Sequence, residues 1–287
     1  VSRNQLANVI QEFVTAKLAD GVTPRAAESY RYHLTRLATK QALTALEDLT
    51  PATIRAYLVA MRGEGLSPYT VYNAGKTIRV FCRWLESEGI CKSPWQNIKA
   101  PTFPNEAQPP FTKEDVQAIL KAALTRRDRA LVMLLLDTGL RLKEVTALVT
   151  DDLNMETGAV IVRKGKGGKF RTVFMGAKAR RAMSAYLRTL DGDGALWRAD
   201  TGAPLASNGL SEAVGRIGKR ANVQPCTVHR FRRTFGVFSL RAGMDLRTLQ
   251  ELLGHARLVL LDRYTRFVTE DLRRAHDAHG ALDAMLK

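Results

Sequence analysis

Residues 100–110 read A-P-T-F-P-N-E-A-Q-P-P, four prolines in eleven residues with neither helical nor strand periodicity. Proline has no amide donor, clashes inside a helix and is shut out of central strands. The segment therefore predicts an extended linker and neither a helix interior nor a central strand. It divides a chain of 287 residues into two parts, each long enough to bury its own core. The expected organisation is a domain over residues 1–100, a linker over 101–111 and a second domain over 112–287.

The first hundred residues are punctuated three times in one way. Thr23-Pro24, Thr50-Pro51 and Ser67-Pro68 each place a hydroxyl before a proline. That is the order of a helix start: the side-chain oxygen caps an early amide, and proline takes the first helical position, where no N–H is needed. Apolar residues then recur at helical spacing. Tyr30, Leu34 and Leu37 follow the first start, and Ile54, Tyr57, Leu58 and Met61 the second; Tyr69, Tyr72, Ile78, Phe81, Trp84 and Leu85 follow the third, up to Gly89. With residues 6–18 in front, the pattern predicts a compact four-helix bundle. The shared start is capping chemistry and not a sequence repeat.

Beyond the linker, Thr112 with Asp115 three residues on resembles a capping box and restarts helix. Residues 130–137 predict a buried helix broken at Thr138-Gly139, so that Arg141 follows a tight turn. Residues 158–175 alternate as strands do: Val160 and Val162, then K-G-K-G-G-K as a turn, then residues 170–174. After Gly176 the pattern is helical to the end, with a loop around residues 191–208. The fold class is mainly α with a small β-sheet: an N-terminal four-helix bundle and a C-terminal α+β domain.

Charge narrows the function. Lys and Arg outnumber Asp and Glu by 44 to 28, a net charge of +16. Residues 1–100 hold 13 basic and 8 acidic side chains, net +5, and the remainder hold 31 and 20, net +11. An excess spread over both domains suits a protein that holds a polyanion between them, because neutralised phosphates release counterions and drive affinity. No amphipathic Lys-rich helix or lipidation signal points to a membrane surface instead. The longest apolar run, residues 130–136, is too short to span a bilayer. The first 20 residues lack the uninterrupted apolar core of a signal peptide, so a soluble, cytoplasmic protein is expected. Cys82, Cys91 and Cys226 have no paired spacing for a disulfide framework or a zinc site. H-E-x-x-H is absent, and His276 and His279 lie in a charged stretch without an acidic cluster, as surface residues do. No metal or cofactor is expected.

Four segments carry the chemistry. T-G-L-R-L-K-E supplies Arg141 and Glu144; K-G-K-G-G-K supplies Lys166; T-V-H-R-F-R-R supplies His229 and Arg232; L-L-G-H-A, with D-R-Y-T-R beyond it, supplies His255 and, nine residues later, Tyr264. An H-x-x-R step, a G-H pair and a tyrosine at that distance, behind an upstream arginine segment, resemble the catalytic signature of the tyrosine recombinases, the integrase and Xer-like family. The motifs cover about residues 112–270; over residues 1–100 the likeness is architectural, to the family's core-binding domain.

The resemblance implies a site-specific recombinase that clamps double-stranded DNA and works through a 3′-phosphotyrosine bond and a Holliday junction, needing neither ATP nor metal. Four protomers would assemble on two sites, with the segment after Tyr264 docking on a neighbour. Arginine suits the binding of a phosphorane because its planar fork donates twice and never deprotonates; Arg141 and Arg232 would clamp the phosphate. Tyr264 would be the nucleophile. A phenol with pKa near 10 needs a cationic surround or a base, and this one lies between Arg263 and Arg266. His229 would handle the tyrosine proton and His255 would hydrogen-bond the phosphate.

The Gly-rich segment is no P-loop, since a strand and not a helix follows. Aligning its G-K-G with the family puts the leaving-group acid at Lys166, with Lys164 and Lys169 as alternatives. Glu144 occupies the family's acidic position, either orienting Arg141 or lying on a helix surface. Two departures stand out: Arg233 where many relatives have histidine, and Leu260-Leu261 where small hydroxyl residues are common. Two rival readings are a type IB topoisomerase, which rejoins the same strand, and a non-catalytic architectural DNA-binding protein.

Overall fold

The computed structural model describes residues 5–103, 108–163 and 170–254. Lys166, His255, Tyr264 and the C-terminal segment expected to dock on a neighbour lie outside the described residues. The chain divides into two compact units, Val1–Glu106 and Ala107–Lys287.

The first unit holds α1 (Leu6–Ala19), α2 (Pro24–Lys40), α3 (Pro51–Gly63) and α4 (Pro68–Ser87). The three hydroxyl–proline starts are the N-termini of α2, α3 and α4: Thr23, Thr50 and Ser67 accept from the amides of Ala26, Thr53 and Thr70 at 3.4, 3.2 and 3.1 Å. The apolar stripes meet around Phe13, whose ring lies 5.2–5.6 Å from those of Phe81, Trp84 and Tyr30. Aromatic pairs at tilted or edge-on angles add to the area they bury. The start of the proline-rich segment packs back on α4. A Cβ on Gly75 would come within 2.7 Å of the Pro101 ring. Phe103 lies 5.1 and 4.8 Å from the rings of Tyr69 and Tyr72.

The second unit runs α5 (Lys113–Ala122), α6 (Arg126–Thr138), α7 (Leu142–Thr146), β1 (Ala159–Val162), β2 (Arg171–Phe174), α8 (Ala177–Leu187), α9 (Ser207–Arg220), α10 (Val228–Arg241) and α11 (Leu246–Leu253). Thr112 and Asp115 form the expected box, each accepting from the other's amide at 3.1 Å. The strands pair antiparallel, Val160 opposite Val173 and Val162 opposite Arg171, the one two-stranded sheet among the described residues. The wall of the core beneath α7 is Trp197, 1 % exposed, stacked on Tyr186 and donating its indole N–H to Val145 O at 2.8 Å.

The end of the proline-rich segment belongs to this unit. Chain with few amide donors is held best by its carbonyls, and two arginines of α10 do this. Arg230 donates to Pro109 O at 3.0 Å and Arg233 to Gln108 O, while the Phe111 amide donates to Thr234 Oγ1 at 2.8 Å. Phe111 is buried edge-on against Phe231, with the Arg230 guanidinium 4.2 Å from its centroid. Among the described residues no helix is long and apolar enough to cross a membrane.

Candidate active site

The site starts from a turn that only glycine enters easily. Gly139 ends α6 at φ +59°, and a Cβ there would lie 2.5 Å from the Phe235 ring and 3.0 Å from Leu253. The turn delivers Arg141 to the N-cap of α7. Glu144, three residues on, reaches back: its Oε2 accepts the Arg141 amide and its Oε1 the Arg141 Nη1, both at 2.8 Å.

A second arginine grips the same carboxylate. Arg171 donates through Nη1 to Oε1 at 2.9 Å and through Nη2 to Oε2 at 2.7 Å, and its Nε donates to Leu252 O at 2.8 Å. Burial alone would raise the Glu144 pKa; the hydrogen bonds and charges of Arg171 and Arg141 outweigh it and hold the carboxyl down at about 2. With its side chain 3 % exposed, Glu144 is buried against Arg141 and does not lie on the helix surface.

Arg232 arrives from α10. It is 2 % exposed and donates to Gly139 O at 2.7 Å and to Leu253 O at 2.5 Å. Arg141 Nη2 donates to the next carbonyl, Gly254 O, at 3.2 Å. The two arginines of the predicted clamp are thus fastened to consecutive carbonyls at the end of α11. A guanidinium has five N–H donors, and the Arg141 side chain, 33 % exposed, engages two of its own on Glu144 and Gly254. His229 stands exposed in the first turn of α10, one turn before Arg232. Arg141, Glu144, Arg232 and His229 therefore come from segments that the fold assembles around one helix end, and Gly254 is the residue directly before His255 in the chain.

Arg171 is the residue that sequence reasoning missed. Its signal was parity: it shares the buried face of β2 with Val173, and an arginine on the apolar side of an alternating strand needs a buried partner. Arg230 and Arg233, in the same motif as Arg232, serve the proline-rich segment instead. Cys82 and Cys226 are buried, which pushes their thiols up to about 12 and about 11 and leaves them protonated. Among the described residues no group of three or more His, Cys, Asp or Glu is arranged to hold a metal ion.

The profile of the phage integrase family matches residues 110–270. The chain is 28% identical to the tyrosine recombinase XerA of Thermococcus kodakarensis, over 97% of both chains. It is 32% identical to the tyrosine recombinase XerC of Mesorhizobium japonicum, over 81% of this chain and 79% of that one. Its fold is similar to that of lambda integrase in a tetramer bound to a Holliday junction, with a TM-score of 0.75 at 20% identity over 88% of this chain and 78% of that one. A helical unit followed by an α+β unit is thus an integrase-type architecture. The chain belongs to the phage integrase family and is a tyrosine recombinase.

Proposed function

We propose that the chain is a site-specific DNA recombinase, working in the cytoplasm, with residues 1–100 as core-binding domain, 101–111 as linker and 112–287 as catalytic domain. The observation that carries this reading is the fastening of Arg141 and Arg232 to Gly254 O and Leu253 O, directly ahead of His255. Two guanidiniums held at one helix end are prepaid in orientation, and donors aimed where charge develops give the largest share of catalysis in acyl and phosphoryl transfer.

In the proposed reaction the Tyr264 oxygen attacks the scissile phosphorus and gives its proton to His229. The P–O5′ bond breaks, Lys166 protonates the departing 5′-oxygen, and the 3′-phosphate stays on the tyrosine. Arg141, Arg232 and His255 bind the non-bridging oxygens throughout. A 5′-hydroxyl from the partner duplex then attacks the phosphotyrosine and releases Tyr264. The number of phosphodiester bonds is conserved, so no nucleotide is consumed. Four protomers on two sites would carry the exchange through a Holliday junction, as the lambda integrase tetramer is seen to hold one.

The test uses duplexes selected by covalent capture on the parent chain from a random-sequence pool. Two labelled duplexes carrying the selected site should yield four-way junctions and exchanged products. Relaxation of supercoiled plasmid without any exchange between sites would overturn the reading in favour of topoisomerase action.

A further inference from the structure

The end of α11 is held in an unusual way. Its last carbonyls have no partner within the helix and need donors from elsewhere. Here three successive ones, of Leu252, Leu253 and Gly254, each accept from a guanidinium on a different element: Arg171 of β2, Arg232 of α10 and Arg141 at the start of α7. The two outer guanidiniums are joined through one carboxylate, since Glu144 accepts four hydrogen bonds, two from Arg141 and two from Arg171. A carboxylate offers about four lone-pair sites, so Glu144 is filled.

We infer that Arg171 is a positioning residue for strand cleavage: it sets Arg141 against the phosphate through Glu144 and fixes the helix end from which the G-H segment continues. The inference rests on the role proposed above for Arg141. Three features separate this role from ordinary core filling. The Arg171 fork meets Glu144 with two parallel bonds, a geometry that lysine cannot supply. Its Nε reaches across to α11 and not to its own hairpin. And it begins the strand that follows the K-G-K-G-G-K segment, five residues after Lys166, so one side chain links the covalent neighbourhoods of Lys166, Arg141 and His255.

Without Arg171, Glu144 would keep Arg141 as its one cationic partner and would draw that guanidinium inward, while α11 would lose one of its three clamps. A shift of about 1 Å in a positioned group commonly costs on the order of 100-fold in rate.

The experiment is a double-mutant cycle on the full chain. The probe is a nicked duplex carrying the pool-selected site, and the readouts are covalent adduct rate and equilibrium DNA binding. Arg171→Met should bind within about twofold of the parent and form adduct about 10–100-fold more slowly. Added to Arg141→Ala it should cost less than about threefold more, because it acts through a group already removed. Arg171→Lys keeps the charge but not the fork; it should fall between Met and parent, and it carries the test if Arg171→Met does not fold. Full multiplication of the two effects, or a rate loss that only tracks the loss of folded protein, overturns the positioning role. An unimpaired Arg171→Met or Arg171→Lys beside an impaired Arg141→Ala does the same. An Arg141→Ala variant that cleaves like the parent overturns the functional reading itself, and the route through Arg141 with it.

Discussion

Replacing Glu144 by glutamine keeps the shape of the side chain and removes its charge. Two guanidiniums then face a neutral amide whose single oxygen accepts for both. Breaking a buried ion pair by removing one partner costs about 3–5 kcal/mol. A second route to the magnitude agrees. The carboxyl titrates at about 2 in the fold against 4.5 as the ordinary value, and at about 1.4 kcal/mol per unit its ionisation contributes roughly 3 kcal/mol. Because the folded pKa is depressed, that contribution is complete above about pH 5 and is lost as pH falls towards 2. Glu144→Gln should therefore be about 3 kcal/mol less stable than the parent at pH 7. The difference should shrink towards zero between pH 5 and pH 2. Trp197 donates to Val145 O, the residue after Glu144, so its fluorescence during urea unfolding reports on this unit. Trp84 and Trp95, the chain's other tryptophans, sit in the first unit and are replaced by phenylalanine in both proteins. A loss below about 1 kcal/mol at pH 7, or two curves that stay parallel from pH 5 to pH 2, refutes the reasoning.

Other outcomes follow from the same geometry. Gly139→Ala puts a methyl group into the Phe235 ring at a left-handed backbone position, and should destabilise the second unit by about 2–4 kcal/mol in the same unfolding assay. Arg141→Ala and Arg232→Ala should each slow adduct formation by about 10²–10³ or more while leaving DNA bound, as read by single-turnover cleavage beside a mobility-shift titration. Lys166→Ala should be slow on ordinary DNA and nearly normal on a 5′-bridging phosphorothioate, whose sulfur leaves without an acid; rescue of Lys164→Ala or Lys169→Ala instead would move the acid within the segment.

Much of this fold was legible because its signals are local. A hydroxyl before a proline specifies a helix start whatever the rest of the chain does, and α2, α3 and α4 begin at those pairs. Alternation around a Gly-rich segment specifies a hairpin in the same way. Tertiary destination is not local. In T-V-H-R-F-R-R, Arg232 lies about 200° around the helix from Arg230 and about 100° from Arg233, and only the assembled unit sends Arg232 to Gly139 and Leu253 and sends Arg230 and Arg233 to the proline-rich segment. Glu144 was equally compatible with a surface position until β2 brought Arg171 against it. Arg171 itself belongs to no short motif; its value lies in contacts to residues 27 and 81 positions away.

The central claim is that Tyr264 makes the covalent bond, and one measurement reaches it directly: protein–DNA adduct on the nicked, pool-selected duplex, resolved under denaturing conditions with EDTA present. The parent chain should give a denaturant-resistant band with the 3′-phosphate on Tyr264, located by mass spectrometry of the digested adduct. Tyr264→Phe should bind the duplex equally well and give no band. A band that persists in Tyr264→Phe, or cleavage that chelator abolishes and Mg²⁺ restores with binding unchanged, would contradict the account.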